Sequence, residues 1–184
     1  MKLSEIIKSR RTSGPAQFSG AEVSKEQIER LLEAANWAPT HRKTEPWRFK
    51  VLRGESLKQL GEFLGDKYKE TATKYSEFKH KKTIQKPQQS SAVIAICMQR
   101  DLEERLPEWE EIAATAMAVQ NLWLMATEMG LGGYWSSPGT IKYMGEFFGL
   151  SEGERCLGFF YLGHLATPSP DRIPGAIEEK TQWY

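Results

Sequence analysis

The stretch "IAATAMAVQNLWLMA", residues 112–126, decides how this chain must fold. It lies inside a segment that reads as one long helix from about Pro107 to Met129, and its side chains are apolar or small on almost every side. Such a helix has to be covered all round, and its alanines permit close approach of a second helix. In a chain of 184 residues that coverage can require a second subunit. The stretch therefore predicts an obligate dimer, with a central helix covered inside one subunit as the open alternative.

Around this helix the pattern alternates between further helices and apolar strands. Helices are predicted over residues 2–11, from the capping box of Ser24 and Gln27 to Pro39, after residue 53, and over 141–148. Strands are predicted in "RFKVLRG" (from about Arg48 to Arg53), "SAVIAICM" (91–98) and "CLGFFYLGHL" (156–165). The second of these is apolar enough to be buried on both faces. Strands mixed with more numerous helices indicate an α+β fold with a sheet inside helices, formed by residues 1–184 as a single domain.

Composition excludes several classes of protein. The net charge of +1 argues against a general nucleic-acid binder. The N-terminus lacks a signal-peptide pattern and no apolar run reaches the ~20 residues of a membrane span, so we expect a soluble, cytoplasmic protein. Cys97 and Cys156 both lie in apolar runs and are expected to be reduced core residues. The histidines lack zinc-ligand spacing, so no metal is expected.

The stretch "IIKSRRTSGP", residues 6–15, places a positive charge on an apolar helix face. Arg10 follows Ile6 and Ile7 at helical spacing, and a buried guanidinium needs an anion. That anion is either a carboxylate of the protein or a ligand. With Arg11, Thr12 and Ser13 alongside, the stretch suits a phosphate ester.

Three further stretches could face the same anionic ligand. "PTHRKTEPW" (39–47) lies between a helix end and a strand, and "GLGGYWSSPG" (130–139) offers Trp135 for stacking and Ser136 and Ser137 as donors. A turn before a strand explains the glycine pair equally well. The lysine-rich residues 66–90 read as a solvated helix and loop, or as a mobile flap over a site for anionic substrates. With no evident nucleophile or acid–base pair, this set suits an enzyme whose cofactor performs the chemistry.

Taken in order, these segments resemble the FMN-dependent nitroreductase family, and most closely its compact single-domain members. The resemblance covers nearly the whole chain. It is carried by the opening helix ending "RRT", by "ANWAPTHRKTEPWRFKVL", by the alanine-rich helix, by "GLGGYWSS" and by "FFYLGHLA" before a C-terminal tail.

The resemblance implies a homodimer with a mostly antiparallel central sheet surrounded by helices and a C-terminal arm that extends onto the partner subunit. Two FMN sites would lie at the interface, each built from both chains. By position, Arg10, Arg11 and Thr12 would hold the phosphate and ribityl end, and Arg172 of the tail would reach the phosphate. The remaining positions are Trp37 and His41, which approach the flavin of the other chain, Trp135, Ser136 and Ser137 beside the cofactor, and Lys43 near the hydrogen-bonding edge of the ring.

The implied activity is a ping-pong transfer of hydride from NADPH or NADH through flavin N5 to a nitroaromatic, quinone or similar small-molecule acceptor, with no catalytic residue besides the flavin. Glu45 stands where the family usually has Gln, and Trp37 where relatives can carry Arg. Both departures raise a second hypothesis, a flavin-binding protein with a specialised or non-reductase role. A third hypothesis, from another class, is a non-enzymatic module that binds a polyanion through Arg10, Arg11 and the lysines.

Overall fold

The structure, a computed structural model that describes residues 2–184, is a four-stranded antiparallel sheet with helices on both faces. The strands are β1 (Trp47–Leu52), β2 (Ala92–Gln99), β3 (Leu131–Ser136) and β4 (Glu154–His164), in the order β1-β2-β4-β3. The helices are α1 (Leu3–Ser9), α2 (Lys25–Asn36), α3 (Glu55–Thr71), α4 (Glu77–Gln88), α5 (Glu108–Glu128) and α6 (Met144–Phe148). The predicted α+β fold with an antiparallel sheet inside helices is confirmed.

The two middle strands hold the core. Every residue of β2 except Gln99 is buried, as the continuous apolar run "SAVIAICM" predicted. The side chains of β2 belong alternately to two clusters. Those on one face pack with α2 and α5, and those on the other face pack with α3, α6 and the short 3-10 helix Gly139–Tyr143 that precedes α6. A β-bulge interrupts the pairing of β2 with β4 between Ile96 and Cys97.

Only one side of α5 is covered in this chain. The side that faces α2 and the sheet buries Ala114, Ala118, Leu122 and Ala126. On the opposite side Met117 is 41% exposed and Trp109 is 66% exposed. The predicted long helix is therefore present, but residues 2–184 of one chain leave part of its apolar surface open.

The lysine-rich segment forms the end of α3 and all of α4, which pack as an antiparallel pair. A Cβ atom on Gly61 would lie 2.2 Å from the carbonyl oxygen of Ile84, and one on Gly65 would lie 2.5 Å from the Ile84 side chain. Two glycines thus let the helices approach closely. The hydroxyl of Ser76 accepts a hydrogen bond from the backbone N–H of Lys79 and so caps α4.

The ends of the chain differ in how they pack. Ile6 of α1 is buried, whereas the last twenty residues after β4 are almost all exposed, Trp183 to 94%. The tail contacts the N-terminal segment at a few points, such as the hydrogen bond from the N–H of Ala166 to the carbonyl of Gln17, but its large apolar side chains Ile173, Ile177 and Trp183 are exposed. None of the helices in residues 2–184 has both the length and the apolar character needed to cross a membrane.

Candidate functional site

Arg10, at the end of α1, holds its guanidinium against an aromatic ring instead of an acid. Its Cζ lies 4.4 Å from the centroid of Trp123, and its Nη1 is buried with no hydrogen-bond partner among residues 2–184. Burial, and then the nearby charges of Arg172 and Arg11, lower the pKa of Arg10 from its ordinary value. A half-buried cation with an open donor and positive neighbours is suited to an anion from outside the chain.

Arg11 is fixed by a different part of the chain. Its Nε donates to the carbonyl of Pro170 at 2.9 Å, and Nη2 contacts Asp171 Oδ1 at 3.2 Å. Asp171 is fully exposed, so this ion pair is weak and can exchange partners. The internal salt bridge, which was one alternative for residues 6–15, is therefore formed by Arg11. Within the described part of the chain, Arg10 forms none.

Next to these arginines, Ser13 joins the tail to the start of β3. Its backbone N–H donates to the carbonyl of Gly133 at 3.1 Å, and its hydroxyl lies 2.7 Å from that of Ser169. Thr12 is exposed beside it. A cavity of about 340 Å³ lies here, lined among others by Arg11, Ser13, Gly132, Ser169 and Asp171.

The tail contributes a third positive charge. Arg172 lies close enough to Arg10 to lower the pKa of that guanidinium, although its own side chain is exposed. Arg10, Arg11 and Arg172, which we call the arginine cluster, thus come together from the two ends of the chain. Mutual repulsion makes the cluster a place where an anion adds stability.

Trp123 is the residue of this site that the sequence analysis did not single out. Its indole N–H donates to the carbonyl of Arg11 at 3.2 Å, and its ring meets Phe160 edge-on at 5.3 Å. It thereby ties the arginine cluster to the core of the sheet. The only sequence signal for Trp123 was that it is a large aromatic residue in the alanine-rich part of α5. Because that helix is apolar almost all round, periodicity alone could not show which way Trp123 points.

The segment predicted to lie beside a flat ligand is strand β3 and the residues that follow it. Trp135 donates its indole N–H to the carbonyl of Leu157 at 3.2 Å, and Ser136 accepts a hydrogen bond from Lys86 Nζ at 3.1 Å. Ser137 is exposed just beyond the strand. The glycine pair lies inside a strand, since residues 131–136 pair with β4, and the alternative of a turn at these two glycines is not what the structure shows.

The glycine pair of β3 serves packing within the chain. A Cβ atom on Gly132 would lie 2.4 Å from Leu165, and one on Gly133 would lie 2.6 Å from the Phe160 ring. Protein side chains therefore already occupy the space that these glycines leave.

Lys86, also missed from sequence, lies over the two aromatic rings beside β3. Its Nζ is 4.6 Å from the centroid of Tyr161 and 5.0 Å from that of Tyr134, and those rings stack at 5.3 Å. One lysine of the predicted solvated segment thus points inward and joins α4 to Ser136.

The loop before β1 has a strained backbone. Arg42, Lys43 and Glu45 have φ values of 52°, 54° and 43°, a region that residues with a Cβ rarely adopt. Thr40 helps to hold it, since its hydroxyl accepts from the backbone N–H of Glu45 at 3.3 Å. The side chain of Glu45 is exposed, directed away from the core.

The two flanking residues of this loop are held by glutamates. His41 Nδ1 lies 2.6 Å from Glu110 Oε2 at the start of α5, and the indole N–H of Trp37 donates to Glu33 at 2.9 Å. Trp37 remains 79% exposed. Ordered but exposed, both side chains are available to a second molecule.

The two groups of predicted residues lie apart within one chain. Glu110, which holds His41, and Trp123, which holds Arg10, are 13 positions apart on α5, or about 20 Å at 1.5 Å per residue. One chain therefore presents two separate groups of candidate residues, which we call the half-sites: the arginine cluster and the exposed loop before β1.

Comparison with known proteins gives a consistent result. The model of the Nitroreductase family matches residues 7–164. The Bacillus subtilis protein named "Putative NAD(P)H nitroreductase YfhC" is 34% identical over 179 residues, which cover 94% of this chain and 86% of that protein.

Solved structures agree in fold. A nitroreductase-like family protein from Bacillus cereus superposes with a TM-score of 0.84 at 28% identity and covers 100% of this chain and 96% of its own. A structure described as a putative nitroreductase in complex with FMN, from Desulfovibrio desulfuricans, has a TM-score of 0.74 at 22% identity, with 100% and 98% covered.

Proposed function

Because this chain belongs to the nitroreductase family, we propose that it is an FMN-dependent oxidoreductase that uses NADPH or NADH to reduce small-molecule acceptors such as nitroaromatics and quinones. When bound, FMN would supply the redox chemistry, and transfer of hydride from the nicotinamide to the acceptor through flavin N5 would follow a ping-pong cycle. The protein's own part is to bind and orient the cofactor and the two substrates.

The observation that carries this proposal is the open donor of Arg10. Nη1 is buried and has no hydrogen-bond partner among residues 2–184, and the neighbouring charges that lower the pKa of Arg10, those of Arg172 and Arg11, are both positive. A phosphate monoester carries about −1.5 to −2 charge and offers three strong acceptor oxygens, which fits this gap. In the proposal Arg10 and Arg172 bind the phosphate, and Arg11 and Thr12 bind the phosphate and ribityl end.

The end of β3 and the residue that follows it would lie along the cofactor. Trp135 is held by Leu157 and Ser136 by Lys86, so both are fixed before any ligand arrives. Preorganised side chains lose little entropy on binding. Ser137, exposed at the end of the strand, and Lys43, exposed on the strained loop, remain available to donate hydrogen bonds.

We further propose that a second copy of the chain completes each site. Met117 and Trp109 on α5, Leu3 and Ile7 on α1, and the apolar tail are all exposed in one chain. A dimer would cover α5, place the C-terminal arm on the partner, and bring Trp37 of the partner subunit and the partner subunit's His41 to the flavin. The ~20 Å between the half-sites along α5 supports this division.

A cytoplasmic location suits the proposal. NAD(P)H is supplied there, and the two cysteines are free thiols, as expected in a reducing compartment. Two lysines of the polyanion hypothesis are engaged with acids, Lys67 with Glu146 at 2.8 Å and Lys81 with Glu77 at 2.7 Å. Nucleic acid and membranes are therefore not among the proposed partners.

The test compares FMN with riboflavin, which has the same ring system and no phosphate. Flavin-free protein is titrated with each, and binding is followed by quenching of flavin fluorescence. The proposal expects FMN to bind far more tightly than riboflavin, with Arg10→Ala abolishing the difference. Equal affinity for the two flavins would contradict it.

A specialised flavoprotein is the second candidate, and Trp37 favours it. This large ring stands exposed on the loop side, where it would restrict the substrate space of a general reductase. Turnover of menadione and nitrofurazone with NADPH and NADH separates the two candidates. Bound FMN with near-zero turnover of either acceptor would favour the specialised role.

A further inference from the structure

The two cysteines of this chain, 59 positions apart in sequence, are direct partners across the sheet. Cys97 of β2 and Cys156 of β4 occupy the same register position. Both belong to the same core cluster, so both side chains point to the same face. We propose that they form a reversible disulfide pair that closes when the protein meets hydrogen peroxide.

The spacing of opposed strand residues allows this bond with little movement. Directly opposed Cβ atoms in an antiparallel pair are about 4.5–5.5 Å apart, and a disulfide needs about 3.5–4.5 Å. The pair adjoins the bulge between Ile96 and Cys97, where Leu157 has no partner on β2. A bulge leaves one residue unpaired and interrupts the ladder of hydrogen bonds, so closure by about 1 Å next to it breaks no regular pairing.

One of the two thiols is the better nucleophile. A hydrogen bond from Cys97 lowers the pKa of Cys156, and the charge of Lys50 acts in the same direction against the burial of the group. The same hydrogen bond and burial raise the pKa of Cys97. Glu154, whose carboxylate lies 2.7 Å from Lys50 Nζ, is the acidic group that faces the pair and opposes Lys50.

An oxidant can reach Cys156 from the surface. This residue is 7% exposed and lines a cavity of about 510 Å³ between β4 and α6, with Lys142 and Glu154 at its edge. Cys97 is fully buried behind it. The geometry therefore assigns Cys156 as the attacking thiol and Cys97 as the resolving thiol.

The chemistry balances in two steps. The Cys156 thiolate attacks one oxygen of hydrogen peroxide, the O–O bond breaks, and the products are a sulfenic acid and, after proton uptake, water. The Cys97 sulfur then attacks the sulfenic sulfur, an S–S bond forms, and the hydroxyl leaves as a second water with the Cys97 proton. Two thiols are oxidised by two electrons, and one peroxide is reduced to two waters.

Formation of the disulfide would change the packing around Trp135. Leu157, the unpaired residue of the bulge, accepts the indole N–H of Trp135, and a Cβ on Gly158 would lie 2.2 Å from that nitrogen. The bulge is thus packed directly against the proposed cofactor segment. Drawing β2 and β4 together at Cys156 would shift the support of that ring.

The experiment counts thiols in the intact protein. Reduced wild-type protein is treated with hydrogen peroxide, its fold is checked by circular dichroism, and it is then quenched with N-ethylmaleimide in denaturant. We expect both thiols to be lost, a peptide linking Cys97 to Cys156 by mass spectrometry, no covalent dimer, and full recovery with dithiothreitol. In Cys97→Ser, the sulfenic acid should persist on Cys156 and react with dimedone, while Cys156→Ser should react much more slowly.

Two results would overturn the proposal. One is retention of both thiols while reduced glutathione in the same peroxide solution is fully oxidised. The other is thiol loss without the linked peptide, whether as sulfinic acid, as a dimer between chains, or only after the circular dichroism signal of the fold has disappeared.

Discussion

The guanidinium of Arg10 lies over the indole of Trp123, with Cζ 4.4 Å from the ring centroid. The ring attracts the cation through its face and leaves one edge of the guanidinium without a hydrogen-bond acceptor among residues 2–184. The arrangement orients a positive charge without neutralising it. It is the feature on which the proposed binding of FMN depends.

Replacing Arg10 separates a ligand-binding role from a structural one. Charge-assisted hydrogen bonds are worth ~1.5–3 kcal/mol, so Arg10→Ala should raise the Kd for FMN roughly 10- to 150-fold. The stability of the flavin-free protein should change little, since the lost contact with Trp123 is offset by relief of repulsion from Arg11 and Arg172. Isothermal titration and urea unfolding measure the two effects.

The matched control is Arg30→Ala on α2, which removes an exposed arginine outside the arginine cluster. It should leave both FMN affinity and stability unchanged. If Arg10→Ala kept its flavin and lost stability, Arg10 would be a structural residue and the proposed phosphate site would be wrong.

A charge on the open side of α5 should dissociate the proposed dimer. Met117 is 41% exposed, and burying a carboxylate there without a partner is costly. Met117→Glu should therefore give a monomer in light scattering and should lower FMN affinity at the same time. Lys79→Glu on the exposed side of α4 is the control and should do neither. A Met117→Glu monomer that binds FMN as well as wild type would show that one chain suffices.

Replacement by alanine should have opposite effects at two glycines, one in the contact between α3 and α4 and one on α6. A Cβ on Gly61 would meet the Ile84 backbone at 2.2 Å, so Gly61→Ala should destabilise the protein by about 1–3 kcal/mol. Gly145 of α6 has no atom within 4 Å of such a Cβ, and Gly145→Ala should be neutral or stabilising by about 0.4–1 kcal/mol. Thermal and urea unfolding check both values, and equal effects would contradict the close approach of α3 and α4.

Stability at acid pH should depend on Asp101. Hydrogen bonds from Arg105 at 2.8 and 3.0 Å lower the pKa of this carboxyl to about 2. A lowered pKa means that the carboxylate contributes stability above its ordinary value of 3.8 and loses it as pH falls toward 2. Wild type should therefore be more stable than Asp101→Asn at pH 6, and the difference should shrink below pH 4 and vanish only as pH falls below 2. A difference that is independent of pH would contradict this ion pair.

Elements with a clear run or spacing of apolar residues were predictable from sequence. The strands around Phe49, Ile94 and Phe160 and the long helix α5 were all expected, because burial sets their patterns directly. Strand β3 was missed because Gly132 and Gly133 weaken the local strand signal. The space that they leave is filled by Leu165 and Phe160, which local sequence does not place beside them.

The candidate site, like the fold, could be predicted only in part from the sequence. A phosphate-binding role for the "RRT" stretch could be proposed from charge on an apolar face, but two adjacent arginines look alike in sequence. Only the fold shows that Arg11 contacts the tail at Pro170 and Asp171 while Arg10 does not. Trp123 and Lys86 were missed because their roles depend on partners more than thirty residues away.

The most direct test of the central claim is the visible absorption spectrum of the purified protein during an anaerobic titration with NADPH or NADH. The account predicts a yellow protein with one FMN per chain that is bleached by the nicotinamide and regains its colour when menadione or a nitroaromatic is added. A colourless protein that takes up no FMN at micromolar concentration would contradict it.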